Sequence, residues 1–157
     1  TNLSNYIKAD MLAQILNITL KEEIREEKGD VYKIWVESKM EEYPAGLLQF
    51  QINYSTEPGK EKSINEVIRQ EIMQLTENGA LEVNLLKVKE FMLKKQQVKE
   101  LLNEYWAEII THFHAKGYDG HTNYATMLNE ISVEDIRQTA KVVLGSGNLI
   151  EVMLIGN

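Results

Sequence analysis

The sequence predicts an α+β fold, with helices packed on one face of a mostly antiparallel sheet. Two segments of period-two alternation, around Ile34 and Phe50, lie close together with turn residues between them. Long stretches with apolar residues at helical spacing surround this pair. A last apolar run, residues 149–155, follows Gly145-Ser146-Gly147 and reads as a returning strand. Strands clustered apart from helices are the α+β pattern, not the alternation of a doubly wound sheet.

Taken in order, Met11, Leu12, Ile15, Leu16, Thr19 and Leu20 keep helical spacing, so residues 5–20 form a first helix. A charged stretch, residues 21–28, reads as a short second helix with Gly29 as its C-cap. From Val31 to Met40 the period becomes two, with Tyr32, Ile34 and Val36 on one face and Val31, Lys33 and Trp35 on the other. Tyr43-Pro44-Ala45-Gly46 is turn chemistry. A second strand places Leu48, Phe50, Ile52 and Tyr54 on a dry face and Gln49, Gln51 and Asn53 on a wet one. Glu57-Pro58-Gly59 closes it.

Ser63 with Glu66 has the spacing of a capping box, followed by a stripe of Ile64, Val67, Ile68, Ile72 and Leu75 that ends at Asn78-Gly79. Residues 82–115 are helical, with Leu85, Val88, Met92, Leu101, Leu102, Tyr105, Trp106, Ile109 and Ile110 as the expected buried side and a break near 94–97. Residues 118–130 hold a loop and a short helix, and Ser132 caps a last helix to Leu144. Three strands are few for so many helices, and an open three-stranded sheet leaves an edge exposed. Further strands upstream of residue 1 are the simplest completion.

The 157 residues make one domain, and 43% are hydrophobic, as in an ordinary globular protein. The chain lacks an initiator Met and runs almost at once into helix, so it is expected to be a piece of a longer multi-domain protein. With 17 basic against 24 acidic residues and no basic patch, nucleic acid is not an expected partner. No apolar run has the length of a membrane span. The absence of cysteine excludes disulfides and thiolate metal sites, and is compatible with periplasm or cytoplasm.

Serine-nucleophile and phosphate-loop motifs are missing, and Gly145-Ser146-Gly147 follows a helix instead of opening one, the wrong side for an anion. Neither His-x-x-Glu-His nor His-Glu-x-x-His occurs. Of three histidines, His112 and His114 could join Glu108 and Asp119 on paper. The region reads as helical, which points residues two apart to different faces, so no metal is expected in this chain. Glu22, Glu23, Glu26 and Glu27 read as a solvated helix face.

Residues Ile24-Arg25-Glu26-Glu27-Lys28-Gly29-Asp30-Val31-Tyr32 resemble the Leu-Arg-Glu-Glu-x-Gly-x-x-Tyr run in the C-terminal half of pitrilysin/insulinase-type zinc peptidases. Other features follow in that family's order: Leu12-Ala13-Gln14-Ile15-Leu16, Glu77-Asn78-Gly79, Asn103-Glu104-Tyr105-Trp106 and the stretch 148–152, Asn-Leu-Ile-Glu-Val. Ala80-Leu81 departs from the family's Thr-rich helix start. The resemblance implies a mitochondrial processing peptidase-like half-domain missing its leading strands. It implies a non-catalytic late domain of a bacterial zinc metalloendopeptidase, whose zinc is bound by another domain. Arg25 would bind a substrate carbonyl and Tyr32 the oxyanion, with a peptide substrate and other domains or a homologous subunit as partners. The periplasm is slightly favoured as its compartment.

The residues alone are compatible with this and with something plainer. Arg presents a fixed fork of donors and Tyr a neutral O–H at pH 7, both suited to a developing oxyanion. Arg25 could equally pair with Glu22 on its own helix, and Tyr32 could be an ordinary half-buried strand residue. A metal-free structural or peptide-binding subunit of the same fold is the alternative function.

Overall fold

The computed structural model describes residues 3–28, 31–41, 47–117 and 119–154, and only the backbone of residues 25–28, 31, 32, 40, 41 and 116. Gly29 and the Tyr43-Pro44-Ala45-Gly46 turn lie outside the described residues. The elements run α1 (Leu3–Lys28), β1 (Val31–Glu41), β2 (Leu47–Thr56), α2 (Glu61–Asn78), α3 (Glu82–Lys99), α4 (Asn103–Lys116), α5 (Tyr124–Glu130) and α6 (Val133–Val143). This is the expected α+β architecture: helices layered against an antiparallel β1–β2 pair.

α1 is the core of the domain. Ile7, Met11, Leu12, Ala13, Ile15, Leu16 and Leu20 are all 0% exposed, and they occupy more than one side of the helix. A helix buried around most of its circumference is an interior element, not a surface one. It packs against β1, α2, α3, α5 and α6. The two helices expected over 5–20 and 21–28 are in fact this one 26-residue helix. Nothing between Leu20 and Lys21 breaks it, and Ile24, one turn after Leu20, is also buried and extends the apolar stripe.

β1 and β2 pair with Ile34 opposite Tyr54, Trp35 opposite Asn53, Val36 opposite Ile52 and Ser38 opposite Phe50. Ile34 and Val36 are buried, with Phe50, Ile52 and Tyr54 packed against the same core, while Lys33, Glu37, Gln51 and Ser55 face water. The alternation expected from sequence holds at these residues, but Gln49 and Asn53, expected on the wet face, are half-buried. Asn17 of α1 joins helix to strand. Its Nδ2 donates to the Val36 carbonyl (2.7 Å), and the Val36 N–H donates to its Oδ1 (2.8 Å). A side-chain amide thus stands where a neighbouring strand's peptide group would.

The helix ends explain two corrections. The Ser63–Glu66 capping box does not form, because α2 begins earlier, at Glu61. The Glu61 carboxylate instead accepts the Gly59 N–H at 2.9 Å, and the Ser63 hydroxyl donates to the Lys60 carbonyl. α2 ends as expected at Gly79 (φ +81), where an added Cβ would lie 3.0 Å from Val133 Cγ1 of α6. The break expected at 94–97 falls at residues 100–102, since Lys94, Lys95 and Gln96 are good helix formers and carry α3 through to Lys99. Past the break the expected buried side fails. Leu85, Val88 and Met92 are buried, but Leu101 (83%), Leu102, Trp106 and Ile110 are exposed, because α4 leaves the core layer.

Ser132 caps α6, and its box partner is Asp135: Ser132 accepts the Asp135 N–H while Asp135 accepts the Ser132 N–H. Lys8 of α1 donates to the same carboxylate at 2.7 Å. The strand expected over 149–155 is absent from residues 149–154, which pair with no strand among the described residues. Ile150 and Leu154 are 87% and 95% exposed. Apolar residues alone do not make a strand; a partner's backbone groups are needed as well. Arg69 of α2 donates to Glu151 and holds this segment beside α2.

Asn17→Ala leaves two half-buried groups of Val36 without partners. It is expected to lower stability by about 2 kcal/mol in urea titration. Gln14→Ala on the same helix should change stability by less than about 0.5 kcal/mol. The hydrogen bonds from the Lys8 ammonium, and then from Ser132, hold the Asp135 carboxyl well below the usual carboxylate range. The charged form is therefore stabilised by folding, and its contribution is full above the unfolded value of about 3.9 and lost as pH falls below it. Wild type should exceed Asp135→Asn by about 1 kcal/mol at pH 7, and the gap should shrink steadily below about pH 4.

Candidate functional site

The corner between α1 and β1 carries both residues singled out by sequence. Arg25 lies in the last turn of α1, and Tyr32 is the second residue of β1. Their side chains lie outside the described residues, so the corner is described by its backbone. Val31 is paired with Thr56 and Lys33 with Ser55, so β1 spends two steps where β2 spends one. Tyr32 is the additional residue, at a β-bulge. Bulges bend the strand and re-aim side chains, and they recur beside active sites. Simple alternation, which grouped Tyr32 with Ile34 and Val36, is interrupted here.

The framework under this corner is fixed. Ile24, immediately before Arg25, is buried and docks the last turns of α1. Ile34, two residues after Tyr32, is buried, and Val36 is gripped by Asn17. Lys33 Nζ lies 4.8 Å from the centroid of the Trp35 ring on the open face of the hairpin. Trp35 pairs across the strands with Asn53, whose Nδ2 is buried and has no hydrogen-bond partner among the described residues. Sequence reasoning missed Asn17 and Asn53. Asn17 sits inside an apolar helical run at the spacing of Ala13 and Leu20, and a polar residue at a core position was the available signal.

The carboxylate-rich end of α1 is partly drawn inward. Glu22 is exposed, but Glu23 is half-buried near Glu71 of α2. Burial pushes the Glu71 carboxyl up, a hydrogen bond with Thr19 opposes this, and the charge of Glu23 adds to the rise. This is an ordinary packing contact between α1 and α2.

The histidines and their acidic neighbours do not assemble into a metal centre. Among the described residues no three His, Cys, Asp or Glu side chains are grouped to hold an ion. His112 and His114 lie two apart on α4 and so diverge. Asp119 is committed to its own loop, accepting N–H bonds from His121 (2.8 Å) and Thr122 (3.0 Å). The Thr122 hydroxyl and these backbone donors hold its carboxyl at about 2. His121 faces Tyr105, whose hydroxyl lies 2.8 Å from its Nδ1. Zinc has no matching donor set in the described residues of this chain. No described helix is long and apolar enough to cross a membrane.

No protein-family model matches the sequence, and no curated protein matches it. Solved structures do match. The periplasmic protease PqqL from Escherichia coli superposes with a TM-score of 0.75 at 15% identity, over 92% of this chain and 16% of PqqL. The chain shares its fold with a domain of this protease. The inactive domain of an M16 peptidase from Pseudomonas fluorescens matches with a TM-score of 0.67 at 18% identity, over 88% of this chain and 34% of that one. A protein described as a zinc protease from Bordetella pertussis Tohama I matches with a TM-score of 0.72 at 14% identity, over 92% of this chain and 82% of that one. The chain thus spans about a sixth of PqqL and about a third of the Pseudomonas chain.

Proposed function

We propose that this chain is the substrate-holding, zinc-free late domain of a zinc metalloendopeptidase, with residues 1–157 forming one domain of a longer protein. Arg25 reaches the carbonyl of a bound peptide. Tyr32 donates its hydroxyl to the oxyanion of the tetrahedral intermediate. The observation that carries this reading is the corner: Arg25 lies in the last turn of α1, and seven residues later Tyr32 sits at a bulge at the start of β1. Further support comes from the fold likeness to peptidases, each matched by this chain over part or most of its length.

The chemistry suits the two groups. A guanidinium carries a permanent charge and a rigid donor fork. A tyrosine hydroxyl is neutral at pH 7 and donates without competing for the proton being transferred. Donors held in place before the reaction stabilise charge as it develops on the carbonyl oxygen. Zinc bound by another domain supplies the activated water. The partners of this chain are then the peptide and the domain or homologous subunit that holds the metal. The periplasmic location of PqqL makes the periplasm the compartment proposed here.

The likeness to an inactive M16 domain favours a second reading, a metal-free structural or peptide-binding subunit. Kinetics of the full-length peptidase separate the two. Arg25→Ala and Tyr32→Phe are each expected to lower kcat about 10²–10³-fold, with thermal midpoints unchanged. Wild-type turnover in both variants would overturn the first reading, and a full-length protein free of zinc after purification would favour the second. The isolated 157-residue chain is expected to cleave no unstructured peptide, with or without added zinc.

A further inference from the structure

We propose that Gln96, Glu100, Tyr105 and His121 form a proton-operated clasp that holds the start of α4 to the end of α3 and to the loop before α5. It is closed when His121 is neutral and exchanges partners when His121 gains a proton. This device is independent of the role given to Arg25 and Tyr32.

The hydrogen positions follow from the contacts. Gln96 Nε2 lies 3.2 Å from a Glu100 carboxylate oxygen and 2.5 Å from the Tyr105 hydroxyl oxygen. A carboxylate requires a donor opposite it, so the amide nitrogen of Gln96 faces both groups and donates to both. The Tyr105 hydroxyl therefore spends its own hydrogen on His121 Nδ1, 2.8 Å away. That nitrogen is then an acceptor, and the neutral ring carries its hydrogen on Nε2.

A second proton cannot be added without rearrangement. It would occupy Nδ1 and point at the hydroxyl hydrogen of Tyr105. The nearest carboxylate oxygen to Nδ1 is that of Glu100, 3.6 Å away. The imidazolium is drawn toward it, and the Tyr105 hydroxyl loses its acceptor. Asp119 holds the backbone N–H groups of His121 and Thr122 in both states, so the ring moves while its loop stays. The groups facing the ring are Glu100 from the end of α3, Tyr105 and Trp106 from α4, and Asp119 from its own loop. Glu108, one turn further along α4, acts on Tyr105.

Trp106 makes the event visible. Its indole N–H donates to the Glu100 carbonyl (2.8 Å), and its ring meets the His121 ring edge-on with centroids 4.8 Å apart. The helix it starts carries Ile110 and Phe113 half exposed, so the clasp sets how α4 stands off the body of the domain.

The test uses the 157-residue chain carrying Trp35→Phe, which leaves Trp106 as the remaining indole. Nitrogen NMR at pH 8 should find His121 in the Nε2–H tautomer. Trp106 fluorescence should fall through one transition as the pH is lowered from 8, in step with protonation of His121 followed by nitrogen NMR, and the transition should vanish in His121→Gln. At pH 8, amides of the first two turns of α4 should exchange about fivefold more slowly than in Tyr105→Phe, the equivalent of one net hydrogen bond. At pH 5.5 the two proteins should exchange alike. An Nδ1–H tautomer at pH 8, flat fluorescence, or a protection gap that is the same at both pH values would overturn the proposal; the last is what a static polar network would give.

Discussion

The two hydrogen bonds between the Asn17 side chain and the backbone of Val36 are the constraint on which the rest of the domain depends. They fasten β1 to a helix that is itself buried against nearly every other element. A strand edge exposes donors and acceptors that water or a neighbour has to satisfy. Here a single amide satisfies one residue's pair of them and fixes the strand's height and rotation relative to α1. Ile24 is docked on the α1 side of the corner and Val36 is held on the β1 side. The bulge at Tyr32 lies between these two anchored points.

Among the described residues, the sheet is a pair of strands. β1 and β2 form a pair whose inner face is covered by α1, and the outer face carries Lys33, Trp35 and Glu37. Residues 149–154 lie beside α2, tied by Arg69, with their apolar side chains in water. A pair of strands is marginal by itself, and here it is α1 that stabilises it.

Much of this was legible in the sequence, wherever one local force acts alone. The hairpin could be read because Ile34, Val36, Phe50, Ile52 and Tyr54 alternate with polar residues over ten positions. The Gly79 stop and the Ser132 cap could be read because each depends on a few neighbouring atoms. Errors arose where a distant partner decides the outcome. The end of α1 reads as a separate charged helix because nothing local in the sequence shows Ile24 docked in the core. Leu101, Leu102, Trp106 and Ile110 keep core spacing, yet α4 swings away from the core, so periodicity alone misplaced them. Among the described residues, the terminal apolar run pairs with no strand. At the site, the Arg-to-Tyr spacing was legible but the bulge was not, because a bulge is a property of two strands in register and β2 is remote in sequence.

The function proposed for Arg25 and Tyr32 requires that both reach one bound peptide from the α1–β1 corner. A crystal structure of the full-length protein with an inert peptide bound tests this most directly. The account predicts the Arg25 guanidinium and the Tyr32 hydroxyl both within hydrogen-bonding reach of the same backbone carbonyl. Tyr32 packed beneath α1, or Arg25 turned along its helix toward Glu22 with the peptide elsewhere, would contradict it.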